Sequence, residues 1–165
     1  MPLAFYLSDL GLFVLSLAAL PSALAQGRGQ IVRRWTLLLP GVLTSLASVA
    51  NIAFPRAADL ANLTIWLIGV LGFLIGSARA QFMGMDSDQN WGLVRMRWGK
   101  DLLWVTVVFV LFALIHVAIE MSFQEVSPLM PTGVLGMTLA GSYLLGRSVV
   151  GWIRAGRKNH TDLRD

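Results

Sequence analysis

The sequence predicts an all-α, polytopic transmembrane bundle of five helices, N-terminus outside and C-terminus inside. A short cytoplasmic β-hairpin-like loop is expected between helices 3 and 4. Three observations carry this reading. The chain is 56% hydrophobic and only 13% charged, where a soluble domain has about 25% charged residues. Its apolar runs, 3–25, 35–54, 60–78, 102–119 and 129–150, are each near the roughly 20 residues that cross a hydrocarbon core of about 30 Å. Alternating these runs across a bilayer puts all but one of the 13 Lys and Arg residues on one side, with Arg56 alone opposite. Basic loops mark the cytoplasmic side, because Lys and Arg resist translocation.

Span one carries Ser8, Asp9, Gly11, Ser16 and Ser22, with Pro21 near its inner end. The residues before its apolar stretch hold no Lys or Arg and include Asp9, which is wrong for a secretory signal, so the span is expected to be retained. Span two starts at Trp35 and holds Pro40, Thr44, Ser45, Ser48 and Asn51. The turn Pro-Arg-Ala-Ala-Asp after it is short enough to make spans two and three antiparallel neighbours. Span three is striped with Gly69, Gly72 and Gly76; span four is β-branched; span five carries Gly133, Gly136, Ala140, Gly141 and Gly146. The loop 79–101 contains the turn cluster Asp86-Ser87-Asp88-Gln89-Asn90. Beyond it Val94, Met96 and Trp98 alternate with Arg95 and Arg97, a period of two. These patterns predict strands near 80–86 and 92–98. Trp35, Trp91, Trp98, Trp104 and Trp152 fall near the inner boundary, the depth an amphipathic indole ring favours.

Residues 1–165 therefore read as a single integral membrane domain with a cytoplasmic tail, 151–165. The sequence contains no cysteine, which excludes disulfide exchange and thiolate metal sites. No paired-His, P-loop, GxGxxG or GxSxG pattern occurs, so no enzyme and no dedicated metal site is expected. The pI near 10.3 reflects anchors at helix ends that meet anionic headgroups rather than a nucleic-acid surface.

Four groups of residues are candidates for function. Gly72, Gly76 and Ala80 form a small-residue stripe that lets another backbone approach. It serves either an oligomer or partner interface or packing within the chain, with Gly133, Gly136 and Ala140 as the internal partner face. A polar outer layer comprises Asp9, Asn51, Arg56, Asp59, Asn62 and Glu120; ionisable groups at membrane depth cost a few kcal/mol unless paired or hydrated. His116 is the lone histidine within a span, and its neutral imidazole suits axial ligation of a haem or bacteriochlorophyll. Arg79, Arg95, Arg97 and Lys100, with Asp86, Asp88 and Asp101, form a cytoplasmic docking face. Arg147, near the inner end of span five, is expected to snorkel.

The arrangement resembles the CcdC-like family of small bacterial membrane proteins over roughly residues 1–120. The residues that carry the likeness begin with Arg33-Arg34 after span one, the Leu-Leu-Leu-Pro run ending at Pro40, and the Pro55 turn. They continue with Gly72-x-x-x-Gly76-x-x-Arg79, Met83, and the acidic turn residues Asp86 and Asp88. The resemblance implies a link to cytochrome c maturation and supplies no catalytic residues. The expectation is a non-enzymatic, multi-pass subunit or assembly protein of the bacterial inner membrane, partnered by lipid and other membrane subunits. A pigment-binding subunit using His116 and a small transporter using the outer polar layer are the alternatives.

Overall fold

The computed structural model describes residues 3–53, 63–97, 99–122, 130–161 and 163, with side chains described for 11–50, 63–97, 99–118, 133–161 and 163. Among these residues the chain is mostly helical. Its five α-helices are α1 (Leu3–Gly27), α2 (Leu39–Ala53), α3 (Leu63–Gln81), α4 (Lys100–Ser122) and α5 (Met130–Arg157). The segments Leu63–Gln81, Lys100–Ala118 and Gly133–Arg157 are long and apolar enough to cross a membrane. Within the described side chains, Gly11–Gly27 and Arg34–Ala50 are shorter apolar helical stretches.

Small residues decide how these helices meet, and α5 is the hub, packing on α2, α3 and α4 while α1 closes against α2 and α4. Gly76 abuts the Tyr143 backbone, Gly72 faces Leu139 and Ser142, and Gly146 abuts Phe73. A β-carbon at any of these contacts would force the helices apart. On the α2 side, Ser48 Oγ donates to the Met137 carbonyl (3.1 Å) and Ser45 Oγ to the Gly141 carbonyl (3.3 Å). Leu12, Ala47, Phe109, Ala113, Met137 and Ala140 form the central core.

Two sequence expectations change here. Gly133 and Gly136 do not face α3: Gly133 lies beside His116, and Gly136 packs on the Phe112 ring, both on α4. Ala140 joins the central core instead. Among the described residues α2 and α3 are not closely packed on each other; both lie mainly on α5. A groove of ≈ 340 Å³ opens between them, lined on one side by Ser45, Ser48 and Val49 and on the other by Trp66, Gly69 and Phe73. The Pro55 turn lies outside the described residues.

A three-stranded antiparallel sheet caps one end of the bundle, in the order β1 (Ile31–Arg33), β3 (Leu93–Met96), β2 (Met85–Asp88). The expected hairpin forms, but its first strand is shifted from 80–86: residues 80–81 end α3, and Asp86–Asp88, expected in the turn, pair in β2. The second strand is shorter than 92–98, and β1 joins as a third. The four-residue loop 89–92 suits a turn ending on Gly92, whose φ of 61° favours glycine. Asp88 Oδ1 starts that turn by accepting from the Asn90 and Trp91 amides at 3.1 and 3.3 Å. Beneath the sheet, Leu37, Met83, Met85, Val94, Met96 and Ala155 form a second core. The segment after α5 folds back along β2: the Thr161 amide donates to the Ser87 carbonyl at 2.9 Å, and Ser87 Oγ to the Ala155 carbonyl at 2.8 Å. Arg154 donates to the Ala80 and Met83 carbonyls, satisfying acceptors that the end of α3 leaves open.

Candidate functional site

Every Lys and Arg with a described side chain gathers at the sheet end of the bundle. Arg28 follows α1, Arg33 and Arg34 lie at β1, Arg95 and Arg97 at β3, and Lys100 opens α4. Arg79 ends α3, and Arg147, Arg154, Arg157 and Lys158 occupy the last turns of α5 and just beyond.

The centre of this region is Asp101, in the first turn of α4. Its Oδ2 accepts from Arg147 Nε at 3.1 Å and from the Tyr143 hydroxyl at 3.2 Å, and lies 3.4 Å from Arg79 Nε. One carboxylate thus ties the ends of α3, α4 and α5 together. Arg147 does not snorkel. Its side chain is 1% exposed, with Nη2 3.9 Å from Met96 Sδ under the sheet. The carboxylate at the start of α4 neutralises the guanidinium in place, which removes the drive to reach water.

Beside Asp101 lies an open cleft of ≈ 600 Å³, lined by Gly27, Arg28, Gly29, Arg79, Arg97, Gly99, Lys100, Asp101, Leu103 and Trp104. It continues into a smaller recess of ≈ 420 Å³ bordered by Arg28, Gly29, Asp86, Arg95, Met96 and Arg97. Local backbone chemistry builds its walls. Helix α1 ends in a Schellman motif: the Gln30 amide donates to the Ala25 carbonyl and the Gly29 amide to the Gln26 carbonyl, each at 3.1 Å. Gly29 adopts φ 68°, the left-handed conformation that motif requires. Gly99 lies against the Gln26 backbone, with no room for a β-carbon. The end of α1 and the start of α4 therefore touch, which brings Arg28 and Lys100 to one opening.

The charges in the cleft are unequal in freedom. Arg97 makes a two-pronged pair with Asp86 (Nε–Oδ2 2.9 Å, Nη2–Oδ1 3.2 Å). The hydrogen bond to Asp86 and the carboxylate charge raise the Arg97 pKa further above its ordinary value. Among the described residues, neither the Arg28 nor the Lys100 side chain makes a hydrogen bond or ion pair. The cleft thus presents unpaired positive charge at the positive end of the α4 dipole.

No family model, curated protein or solved structure matches the chain.

The structure brings Arg79, Arg95, Arg97 and Lys100 to this one region. Gly72, Gly76 and Ala80 are buried on α3, with Gly72 and Gly76 against α5. His116 is 4% exposed in α4, near Gly133 of α5. Asp9, Asn51 and Glu120 lie on α1, α2 and α4, but their side chains fall outside the description, as do Arg56, Asp59 and Asn62 entirely. Sequence reading passed over Tyr143 and placed Asp101 in the cytoplasmic docking face, not in a buried pair with Arg147. The available signal was Tyr143-x-x-x-Arg147, two polar groups one turn apart on an otherwise small-residue helix.

Proposed function

We propose that this chain is a multi-pass protein of the bacterial inner membrane, N-terminus outside and C-terminus inside. It acts as a non-enzymatic accessory or assembly subunit of a larger membrane complex. All five helices cross or enter the bilayer in this reading, and the sheet end faces the cytoplasm. The carrying observation is the segregation of every described basic side chain to the sheet end of a bundle with three long apolar helices. Basic residues accumulate on the cytoplasmic side of a membrane protein. The exposed indoles of Trp35, Trp91 and Trp104 at that same end support the same depth.

The sheet and the segment after α5 form the docking face. Arg33 and Arg95 are exposed on the sheet, and Arg157 is exposed at the end of α5 beside it. The CcdC-like resemblance supports a complex linked to cytochrome c maturation. The test is native purification in mild detergent followed by identification of bound proteins. A membrane complex containing the chain in fixed stoichiometry is expected. A stable lone monomer, without partners at native expression, contradicts the accessory role.

A further inference from the structure

The cleft between the end of α1 and the start of α4 has a chemistry of its own. Its charged rim is Arg28, Arg79, Arg97 and Lys100, set against Asp101, which Arg79 also approaches, and against Asp86, which pairs with Arg97. Asp101 already accepts from Arg147 and Tyr143, so its charge is spent inside the bundle. What remains at the opening is cationic and lies at the first turn of α4, the positive end of that helix; the neighbouring end of α1 is a C-terminus, whose carbonyls are partly occupied by the Gly29 and Gln30 amides. That combination favours a phosphate or other oxyanion.

The floor of the cleft is apolar. Leu103 and Trp104 line it, and Trp104 is 66% exposed. Below Trp104 on the same helix, Val108, Leu111 and Ile115 are exposed as well. Spacings of four, three and four residues place them on one face. A charged opening therefore sits at the top of a continuous apolar stripe on α4. A soluble anion would use only the first; an amphiphile would use both.

We infer that this cleft is a binding site for the phosphate headgroup of an anionic phospholipid, with an acyl chain lying along Trp104, Val108 and Leu111. The inference rests on the membrane reading above and assigns the cleft within it. Arg28 and Lys100 supply the free charge, Arg97 and Arg79 the fixed rim, and the tryptophan ring covers the glycerol region.

The test uses the full chain in neutral detergent with an equimolar mixture of phosphatidylglycerol and phosphatidylcholine, read by native mass spectrometry. The wild type is expected to retain phosphatidylglycerol preferentially. Arg28→Gln with Lys100→Gln should weaken that retention about thirtyfold, since each basic residue near an anionic surface contributes roughly fivefold. Neither side chain has a partner in the described structure, so helix content measured by circular dichroism should match the wild type. Excess glycerol 3-phosphate should displace little lipid. Equal retention of both lipids, or an unaffected double variant, overturns the proposal. Displacement of the lipid by glycerol 3-phosphate at comparable concentration overturns the lipid assignment. Fractionation separates the two readings: a wild-type chain in the soluble fraction refutes membrane residence. A membrane-bound chain without lipid preference refutes the cleft alone.

Discussion

Arg147 Nε lies 3.1 Å from Asp101 Oδ2 although 46 residues separate them, and the arginine side chain is 1% exposed. Removing one partner of such a pair strands the other. Asp101→Ala leaves a buried guanidinium uncompensated and should cost about 3–5 kcal/mol, seen as a lowered thermal midpoint in detergent. Adding Arg147→Met to that variant should recover most of the loss, because an apolar side chain of similar reach no longer needs the carboxylate. An additive double variant contradicts this.

Gly76 and Gly69 lie on the same helix and predict opposite outcomes. A β-carbon at Gly76 meets the Tyr143 backbone, which cannot rotate away, whereas at Gly69 it meets Thr138 Cγ2 at an ordinary 3.7 Å. Gly76→Ala should therefore destabilise by about 1–3 kcal/mol through overpacking. Gly69→Ala should be neutral or stabilising, since it also improves helix propensity. Parallel thermal denaturation of the two variants checks the register of α3 on α5.

Asp88, 1% exposed, holds the hairpin turn by accepting two amides. Asp88→Ala should cost about 1–3 kcal/mol, the range for hydrogen bonds to a charged acceptor. The loss is local. Hydrogen exchange of the Asn90, Trp91 and Thr161 amides should accelerate, while amides in the middle of α4 keep their protection. Uniform acceleration across the helices contradicts a separately packed cap.

Helix existence was legible because hydropathy and length suffice for it. The runs 102–119 and 129–150 correspond to Lys100–Ser122 and Met130–Arg157. The second outruns its apolar core because Gly151–Arg157 continues the helix to cover Leu37 and Met85 under the sheet. The hairpin was legible from the alternation around Arg95. Strand β1 was not: Ile31–Arg33 is three residues long, too short to display a period of two. Helix adjacency was not legible either. A short turn after α2 suggested that α2 and α3 are antiparallel neighbours; they border one groove, but small residues on α5 gave both helices a closer surface, and packing at backbone contact prevailed. The Asp101–Arg147 pair was hidden for a related reason. Long cationic stems near a helix end ordinarily reach outward, and only the fold reveals a carboxylate waiting inside.

Orientation is the claim on which the docking face and the lipid cleft both depend. The absence of native cysteine makes it directly measurable: single cysteines at Gln89, in the hairpin loop, and at Ala57, between α2 and α3, are labelled in intact cells with a membrane-impermeant maleimide. Labelling at position 57 with protection at 89 until the cells are opened is the predicted result. Protection at 57 with labelling at 89, or the same behaviour at both, contradicts the account.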